Sequence, residues 1–445
     1  MGLLAQDEGR MATTDDFDGV LTPHFRADAP GAAVAIRQRG EVIHAKGYGL
    51  ANVEWGLPIA TDTVFRIGSV TKQFTAAAIL KLAEAGNLGI DDPIERHLPD
   101  YPVGERQITV RHLLNHTSGI KSYTGLPNFF PELSQKQLPL PEMIAVFKDL
   151  PPDFQPGAKF LYSNSGYLLL GAIIEGVSGQ DYATFLAETF FAPLGMASTR
   201  YLDDRPITPK RAAGYQLERA VVNATPLAMS WPHAAGALGS TVTDLLRWDA
   251  ALHGGEVLSP ASYAAMITPG TLNDGSETRY GFGLAINRYR DLGNIAHGGG
   301  INGFVCGLAH WPGADLTVAL LSNIVTFQVE QAMHGLARRA LGLPDLTYTP
   351  VALDEARLDA CAGRYRFDIG PLKLTPLEGG LAGDWPRPKS RFRPMADTVF
   401  FLEKDPEVTL AFDDLEAGVY QRLSIQGYGE PVAGRREAEP TKAAD

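Results

Sequence analysis

Residues 63–82 read TVFRIGSVTKQFTAAAILKL: a strand-like run, a glycine, and then a strong helix-forming stretch. Ser69 and Lys72 lie in this segment three residues apart, which places both side chains on one face of a helical turn. A lysine beside a serine hydroxyl helps this weak oxygen nucleophile to attack a carbonyl carbon. The free N–H groups at the start of a helix also favour developing negative charge. The segment therefore predicts a nucleophilic serine at position 69.

The same Ser-x-x-Lys spacing occurs a second time, at Ser118 and Lys121. A chain of this length should contain such a pair by chance about once or twice. The second copy lies in a loop rich in Gly, Thr and Ser, and no helix-forming run follows it, so nothing there holds the two side chains together. We therefore interpret Ser118 as a chance match and keep Ser69.

A second candidate element is Tyr162-Ser163-Asn164, which precedes an apolar helix-forming run at 166–175. Of the fifteen tyrosines, only Tyr162 lies in a Tyr-x-Asn arrangement. A structural interpretation is a buried tyrosine followed by a helix whose N-cap is Asn164 or Ser165. A catalytic interpretation places the phenol oxygen between Ser69 and Lys72, because a nearby ammonium lowers the pKa of a phenol.

A third candidate element is His297-Gly298-Gly299-Gly300, which lies in a strand-like region. Glycines that interrupt a strand pattern indicate a bulge or a close approach of the backbone to a ligand. A similar stretch, His253-Gly254-Gly255, directly follows a helical pattern at 245–252. Its glycines are therefore predicted to end that helix.

The composition excludes several classes of function. The 445 residues carry a net charge of −12, whereas phosphate binding needs a basic face, so we expect no nucleic-acid partner. No apolar run is long enough to cross a membrane, and no signal peptide is visible after Met1, while the choice between Met1 and Met11 as the start of translation stays open. The two cysteines, Cys306 and Cys361, are too few for a disulfide framework. These features predict a cytoplasmic protein without a membrane partner.

No metal or other cofactor is predicted. His112 and His116 have the i, i+4 spacing of some metal ligands, but no glutamate lies between them, and we interpret the pair as structural. No P-loop motif is present, and no serine lies in the Gly-x-Ser-x-Gly pattern of α/β-hydrolases. Cys306 lies in an apolar strand-like run, which favours a packed thiol over a nucleophile.

The order of the predicted elements indicates an α/β (α+β) protein. Helical patterns dominate from about 90 to 260, and strand-like segments occur on both sides of them, at 31–45, 280–286, 303–311 and 316–321, before a closing helix at 329–341. The first of these segments reads as a hairpin that turns at Arg39-Gly40. We expect the terminal segments to form one antiparallel sheet flanked by helices, with the middle helices as an all-helical lobe.

Short strands at regular spacing beyond the closing helix predict a small antiparallel β-barrel of lipocalin-like type. We divide the chain into an N-terminal segment that can be disordered (1–19), a domain that carries the three motifs (20–342), a linker (343–357), the barrel (358–433) and a polar tail (434–445).

Together the three motifs resemble, in order and rough spacing, those of the penicillin-recognising serine hydrolases of peptidase S12 type. This superfamily contains class C β-lactamases, penicillin-binding proteins, D-alanyl-D-alanine peptidases, D-aminopeptidases and related esterases. The resemblance covers about residues 20–342 and extends to 113–119 and to Gln155-Pro156-Gly157. It implies a β-lactamase/transpeptidase-like fold with the site between the sheet and the helical lobe.

The resemblance also implies roles for the candidate residues. Ser69 would be the nucleophile, and Lys72 and Tyr162 would share the duty of general base, without a decision between them. Asn164 would hydrogen-bond Lys72 and the substrate amide. The backbone N–H groups of Ser69 and Gly300 would form the oxyanion hole.

Position 297 departs from the pattern of the β-lactamases and penicillin targets, which usually have Lys-Thr-Gly or Lys-Ser-Gly there. That lysine favours substrates with a carboxylate, and a histidine supplies less fixed positive charge near neutral pH. A His-x-Gly motif and an appended barrel are similar to D-aminopeptidases and related esterases. We therefore expect a D-aminopeptidase-like peptidase or amidase that acts through an acyl-enzyme on a small molecule or short peptide.

Three alternatives stay open. The protein could be a carboxylesterase or a β-lactamase of the same fold, because amides, esters and β-lactams all pass through the same acyl-enzyme. It could also be a catalytically idle protein that binds a peptide or a cell-wall fragment. All groups needed for the chemistry are present, which favours the enzyme. The sequence allows a homo-oligomer but does not indicate one.

Overall fold

The computed structural model of the protein describes residues 12–203, 205–289, 292–367, 370–385, 389–427 and 431–437. Two units are distinguished within this part of the chain. The first comprises the residues up to Gly342 without Asn287–Asp291, and the second comprises the residues from Leu343 onwards together with Asn287–Asp291. No helix among the described residues is both long and apolar enough to cross a lipid bilayer.

The first unit alternates short strands with helices. Its strands are β1 (Ala32–Gln38), β2 (Glu41–Tyr48), β3 (Leu50–Asn52), β4 (Leu57–Pro58), β5 (Phe65–Arg66), β6 (Arg200–Tyr201), β7 (Tyr215–Leu217), β8 (Val221–Asn223), β9 (Leu238–Ser240), β10 (Ala285–Tyr289), β11 (Leu292–Ile301), β12 (Phe304–Trp311) and β13 (Leu316–Ser322). Its helices are α1 (Thr14–Leu21), α2 (Thr71–Glu84), α3 (Val110–Leu114), α4 (Leu140–Ala145), α5 (Asn164–Ser178), α6 (Tyr182–Leu186), α7 (His233–Gly236), α8 (Val242–His253), α9 (Pro260–Ile267) and α10 (Val329–Ala340).

A six-stranded sheet forms the centre of this unit, in the order β10-β11-β12-β13-β1-β2. β1 pairs antiparallel with β13, so that Ala32 lies opposite Ser322. The two ends of the unit therefore share one sheet, and the residues between them supply a helical lobe. This arrangement confirms the predicted fold class.

The central strand β1 is buried on both faces. Ala33 and Ala35 pack into the larger core, to which α2 and α5 contribute. Ala32, Val34 and Ile36 point to the opposite face, where α1 and α10 pack. Because side chains alternate along a strand, helices must cover both faces of the sheet.

Local chemistry explains the first hairpin and the first helix. Arg39 and Gly40 have φ angles of +50° and +83°, the conformation of a tight two-residue hairpin turn, as predicted. Phe17 and Leu21 are fully buried, so α1 belongs to the packed unit. The predicted boundary at residue 20 therefore falls inside a helix that the core requires.

The second unit is a closed antiparallel barrel of eight strands in sequence order, which confirms the predicted barrel. Its elements are α11 (Glu355–Cys361), β14 (Gly363–Phe367), β15 (Gly370–Leu377), β16 (Gly380–Gly383), β17 (Ser390–Ala396), β18 (Val399–Leu402), β19 (Asp405–Glu416), β20 (Val419–Gln426) and β21 (Val432–Arg436). Apolar side chains such as Tyr365, Leu410 and Phe412 fill its core.

The last strand of the barrel extends past the predicted boundary at residue 433. Arg436 pairs with Tyr365 across the closure of the barrel, and its guanidinium donates to the backbone carbonyls of Ala360, Ala362 and Tyr420. These bonds hold the segment in the barrel, whereas its polar composition alone predicted a tail. The rest of the predicted tail, from residue 438, lies outside the described residues.

Candidate active site

Ser69 and Lys72 lie side by side at the start of α2. Gly68–Val70 forms one 3₁₀ turn that leads directly into the helix. Lys72 Nζ lies 3.1 Å from Ser69 Oγ, the contact that the three-residue spacing predicted. Gly68 has a φ of +48°, a conformation that glycine adopts without strain. The chain therefore turns sharply just before the serine and presents it at a helix start.

The amine of Lys72 is fully buried and has only neutral neighbours within hydrogen-bond distance in the described chain. Nζ donates to Asn164 Oδ1 at 2.8 Å and to the backbone carbonyl of Ala235 at 2.8 Å. Burial lowers the pKa of Lys72 well below its ordinary value, because no charged partner offsets the loss of water. A neutral amine has two hydrogens, which these two acceptors take. Its lone pair then faces Ser69 Oγ.

Tyr162 packs beside the same amine. Lys72 Nζ lies 4.7 Å from the centroid of the Tyr162 ring. The Tyr162 hydroxyl is buried and lies near Ser69, but it makes no hydrogen bond of good geometry in the described part of the chain. Burial raises the pKa of Tyr162, and the nearby Ser69 side chain lowers it by a smaller amount. The phenol is therefore protonated at neutral pH and does not have the lowered pKa that the sequence suggested.

His116 holds the segment that carries Tyr162. Its ring packs against the Tyr162 ring in a tilted arrangement, with the ring centroids 4.2 Å apart, and its Nδ1 accepts the backbone N–H of Ser163 at 3.1 Å. His112 has a separate partner, because its Nδ1 accepts the backbone N–H of Thr109 at 3.1 Å. The two histidines thus make structural contacts of their own, although their spacing is that of some metal ligands.

Asn164 is the first residue of α5, and Ser163 is the N-cap whose side chain accepts the N–H of Gly166. The cap thus lies one residue earlier than the two candidates that we considered. Asn164 Nδ2 donates to Thr124 Oγ1 at 3.2 Å, which directs Oδ1 towards Lys72. Capping by Ser163 leaves the Asn164 side chain free for the site.

His297 does not line the cleft beside Ser69, although its motif suggested a contact with substrate. The side chain is buried, with Nε2 2.7 Å from the hydroxyl of Tyr280 and Nδ1 2.6 Å from the Gly298 carbonyl. Burial, and to a smaller extent the charge of Lys72, lowers the pKa of His297 to about 3. The histidine is therefore neutral, and its contacts with Tyr280 and Gly298 hold β11 in place without entering the cleft.

The glycines after His297 bring β11 close to the nucleophile. A Cβ atom on Gly299 would lie 2.2 Å from the Ile67 carbonyl oxygen and 2.5 Å from Cys306 Sγ. A Cβ on Gly68 would lie 3.1 Å from the backbone nitrogen of Gly300. Gly300 therefore lies at the wall of the cleft next to Ser69, where its N–H was predicted to help hold an oxyanion.

Cys306 packs behind this contact. Its Sγ donates to the Ile67 carbonyl at 2.9 Å, and burial raises the pKa of the thiol. A protonated, buried thiol is a poor nucleophile.

The cleft beside Ser69 has a cavity volume of about 110 Å³. Aromatic side chains supply one wall, from Tyr123, Phe129, Phe130 and Trp231. No charged side chain lies among the described residues that line it, and Thr124, Asn164 and Asn302 supply its polar groups. The cleft can bind an apolar, uncharged group next to the nucleophile.

The second copies of the motifs have other surroundings. Ser118 Oγ accepts the backbone N–H of Ile120 at 3.2 Å, and Lys121 forms an ion pair with Asp153. Gly254 is the C-cap of α8, as predicted from the helical run before it.

One cluster in the described chain has the composition of a metal site, namely Asp249, His253 and His310. The two imidazole rings are stacked at 4.0 Å and nearly parallel, so their nitrogen lone pairs do not converge on one point. Arg37 lies 3.6 Å from the Asp249 carboxylate and supplies positive charge there. The geometry fits a buried ion-pair cluster better than a metal centre.

The sequence did not indicate three of the contacts described here. The Ala235 carbonyl is a backbone group and leaves no side-chain signal. Thr124 contacts Asn164, which lies 40 residues away in the chain, and Tyr280 contacts His297, which lies 17 residues away. Only a fold assigned in advance would have directed attention to them.

The central antiparallel sheet, the helical lobe and the serine–lysine pair between them define a β-lactamase-like fold. A family model described as beta-lactamase matches residues 12–342. The chain therefore belongs to the beta-lactamase family, which confirms the resemblance of the three motifs.

Individual named proteins are also similar to this chain, in sequence and in structure. The chain is 32% identical to penicillin-binding protein 4* of Bacillus subtilis over 414 residues, 85% of this chain and 90% of the relative. It is 28% identical to a D-aminopeptidase of Gluconobacter oxydans, over 72% of this chain and 60% of that protein. The crystal structure of a D-amino acid amidase from Ochrobactrum anthropi, complexed with L-phenylalanine amide, superposes with a TM-score of 0.64. That likeness covers 74% of this chain and 97% of the other, at 28% identity.

Proposed function

We propose that this protein is a serine hydrolase that cleaves amide or ester bonds through an acyl-enzyme at Ser69, working as a D-aminopeptidase-like peptidase or amidase. The observation that carries the proposal is the buried amine of Lys72, 3.1 Å from Ser69 Oγ and without a carboxylate partner in the described chain. An amine whose pKa is lowered can accept a proton near neutral pH.

Acylation begins when Lys72 Nζ takes the proton of Ser69 and Oγ attacks the substrate carbonyl carbon. The carbonyl oxygen gains negative charge and is held by the backbone N–H groups of Ser69 and Gly300. The C–N or C–O bond to the leaving group then breaks. In this scheme Lys72 is the base of acylation, since Tyr162 is protonated.

Tyr162 then completes the proton transfer. Its hydroxyl lies near Ser69, and its ring contacts the Lys72 amine. It donates its proton to the leaving group and regains one from the Lys72 ammonium, so that protons balance over the step. The same groups then act in the opposite direction, with water in place of the leaving group. Water attacks the acyl carbon, Ser69 Oγ leaves and regains its proton, and the acid product is released.

The cleft supports a substrate with an apolar group beside the scissile bond. Its aromatic wall suits a side chain such as that of phenylalanine. The names of two similar proteins, a D-aminopeptidase and a D-amino acid amidase, support amides of D-amino acids as the first substrates to test.

A carboxylesterase is the second candidate, because no charged side chain among the described lining residues would bind an α-ammonium or a carboxylate. The same absence of lysine and arginine disfavours a β-lactamase, whose substrates carry a carboxylate. An idle binding protein is disfavoured because the buried amine and the serine are already in contact.

Covalent labelling and turnover test the proposal together. A fluorophosphonate should add to the wild-type protein and not to Ser69→Ala, as read by intact mass. Ser118→Ala is the matched control, since it removes the serine of the second Ser-x-x-Lys copy, and it should label normally. Phenylalanine amides of both configurations, p-nitrophenyl esters and nitrocefin then rank the substrates. Absence of labelling in the wild-type protein would refute the proposal.

A further inference from the structure

His233 determines how the backbone enters α7, the short helix that carries the carbonyl bound by Lys72. Its φ angle is +35°, in the left-handed region that glycine and asparagine adopt more easily than histidine. A strained residue of this kind persists only when its surroundings hold it in place.

Several neighbours hold the His233 ring, among them the ring of Tyr201 at 5.8 Å. Its Nε2 lies 3.4 Å from Glu175 Oε1, and its ring packs on Tyr182 at 5.1 Å. Gly171 leaves the space for it, because a Cβ there would lie 2.6 Å from His233 Nδ1. Glu175 Oε1 also accepts the backbone N–H of Tyr182 at 3.0 Å, so this carboxylate joins α5, α6 and the start of α7.

The peptide groups that follow His233 are bound by side chains of α2. Thr75 Oγ1 donates to the Ala234 carbonyl at 2.6 Å, and Lys72 Nζ donates to the Ala235 carbonyl at 2.8 Å. The Ala235 carbonyl lies two residues after the left-handed backbone angle of His233. Neither His233 nor Glu175 is among the residues that line the cleft.

We propose that His233 and Glu175 are positioning residues for Lys72. Their contact fixes the start of α7 so that the Ala235 carbonyl takes one hydrogen of the neutral amine. Asn164 Oδ1 takes the other, and the lone pair stays directed at Ser69. The inference rests on the proposed function, in which Lys72 is the base.

This arrangement has a consequence for the pH dependence of catalysis. The other groups that face Lys72 are Ser69, Asn164 and the rings of Tyr162 and Tyr167, and in its ammonium form Lys72 also lowers the pKa values of His116 and His297. A carbonyl that accepts from Lys72 stabilises the ammonium form. If the Ala235 carbonyl moves away, the pKa of Lys72 falls further. The acid limb of kcat/KM then moves to lower pH, and the weaker base slows acylation.

Two substitutions test this proposal. His233→Asn tolerates the left-handed backbone but is too short to reach Glu175, and Glu175→Gln keeps the shape while removing the charge. Each should lower kcat by about tenfold with KM within about twofold, and should move the acid limb of kcat/KM down by about one pH unit. His97→Asn is the matched control, because His97 lies 3.0 Å from Asp92 in a separate ion pair, and it should keep the wild-type profile.

The readouts separate this proposal from the proposed function. If the wild-type protein neither labels at Ser69 nor turns over substrate, the proposed function fails. If the wild-type protein is active and both variants keep the acid limb of its kcat/KM pH profile, the positioning proposal is overturned, even where kcat falls. A loss of packing alone would lower activity without moving that limb of the profile. Should His233→Asn not fold, the acid limb of Glu175→Gln decides alone.

Discussion

Replacing Tyr162 by phenylalanine should lower turnover while leaving stability unchanged or higher. The hydroxyl is buried and makes no hydrogen bond of good geometry with the described residues. The ring packs against the His116 ring, with the centroids 4.2 Å apart, and its centroid lies 4.7 Å from the Lys72 amine. Phenylalanine keeps the ring and these contacts and removes only the oxygen atom. The substitution therefore isolates what that oxygen does.

The structure fixes the sign of both effects. A buried polar group without a partner costs about 1–3 kcal/mol, so its removal should raise the free energy of unfolding by up to about that amount. Loss of a positioned proton donor lowers kcat by about 100-fold to 10,000-fold, or about 2.7–5.4 kcal/mol in the activation barrier. A hydroxyl with only a structural function would give the opposite pattern, with stability lost and kcat kept.

An amide and a p-nitrophenyl ester of the same acyl group provide the assay. The amine leaving group of the amide needs a proton, whereas p-nitrophenolate leaves as a stable anion. Tyr162→Phe should therefore reduce kcat for the amide about tenfold more than for the ester. Unfolding in urea, followed by circular dichroism, measures the stability. Equal losses for the two substrates, or wild-type kcat with lowered stability, would refute the reasoning.

Three further substitutions test other parts of the site. His297 has a pKa of about 3 against an ordinary 6.5, so the unfolded chain binds the extra proton between these values. The free energy of unfolding should then fall as pH drops below 6.5, by at most about 1.4 kcal/mol per unit, and His297→Gln should show a smaller fall between pH 7 and pH 5. Gly299→Ala should push β11 away from Ser69 and slow fluorophosphonate labelling about tenfold or more, whereas Gly293→Ala on the same strand meets open space and should not. Thr124→Val removes the acceptor of Asn164 Nδ2 and should lower kcat/KM about tenfold, with Thr124→Ser close to wild type.

Features that depend on neighbouring residues could be predicted from the sequence. The hairpin at Arg39-Gly40 follows from two residues with positive φ, and the contact of Ser69 with Lys72 follows from their spacing on a helical turn. The end of α8 at Gly254 follows from a glycine after a helical run. In each case the physical cause lies within a few residues of its effect.

Features that depend on distant backbone could not be predicted in this way. The Ala235 carbonyl meets Lys72 across 163 residues, and a carbonyl is present at every position of any chain. The direction of His297 is set by Tyr280, whose hydroxyl reaches it only because β11 and the preceding segment fold together. The motif therefore predicted the position of His297 on its strand, while tertiary contacts determined where its side chain points.

The two Ser-x-x-Lys copies show why burial, more than motif, decides which lysine can act as a base. Lys121 is partly exposed and forms an ion pair with Asp153. Lys72 is fully buried, and its hydrogen-bond partners among the described residues are a hydroxyl, an amide oxygen and a peptide carbonyl, none of which carries a negative charge. A carboxylate introduced beside Lys72 would improve its hydrogen bonding and raise its pKa, and so remove the property that the chemistry needs. No described residue supplies a counter-ion to Lys72, and the proposed chemistry needs this neutral environment; in our proposal the contacts of His233 and Glu175 maintain the neutral acceptor that takes the place of a counter-ion.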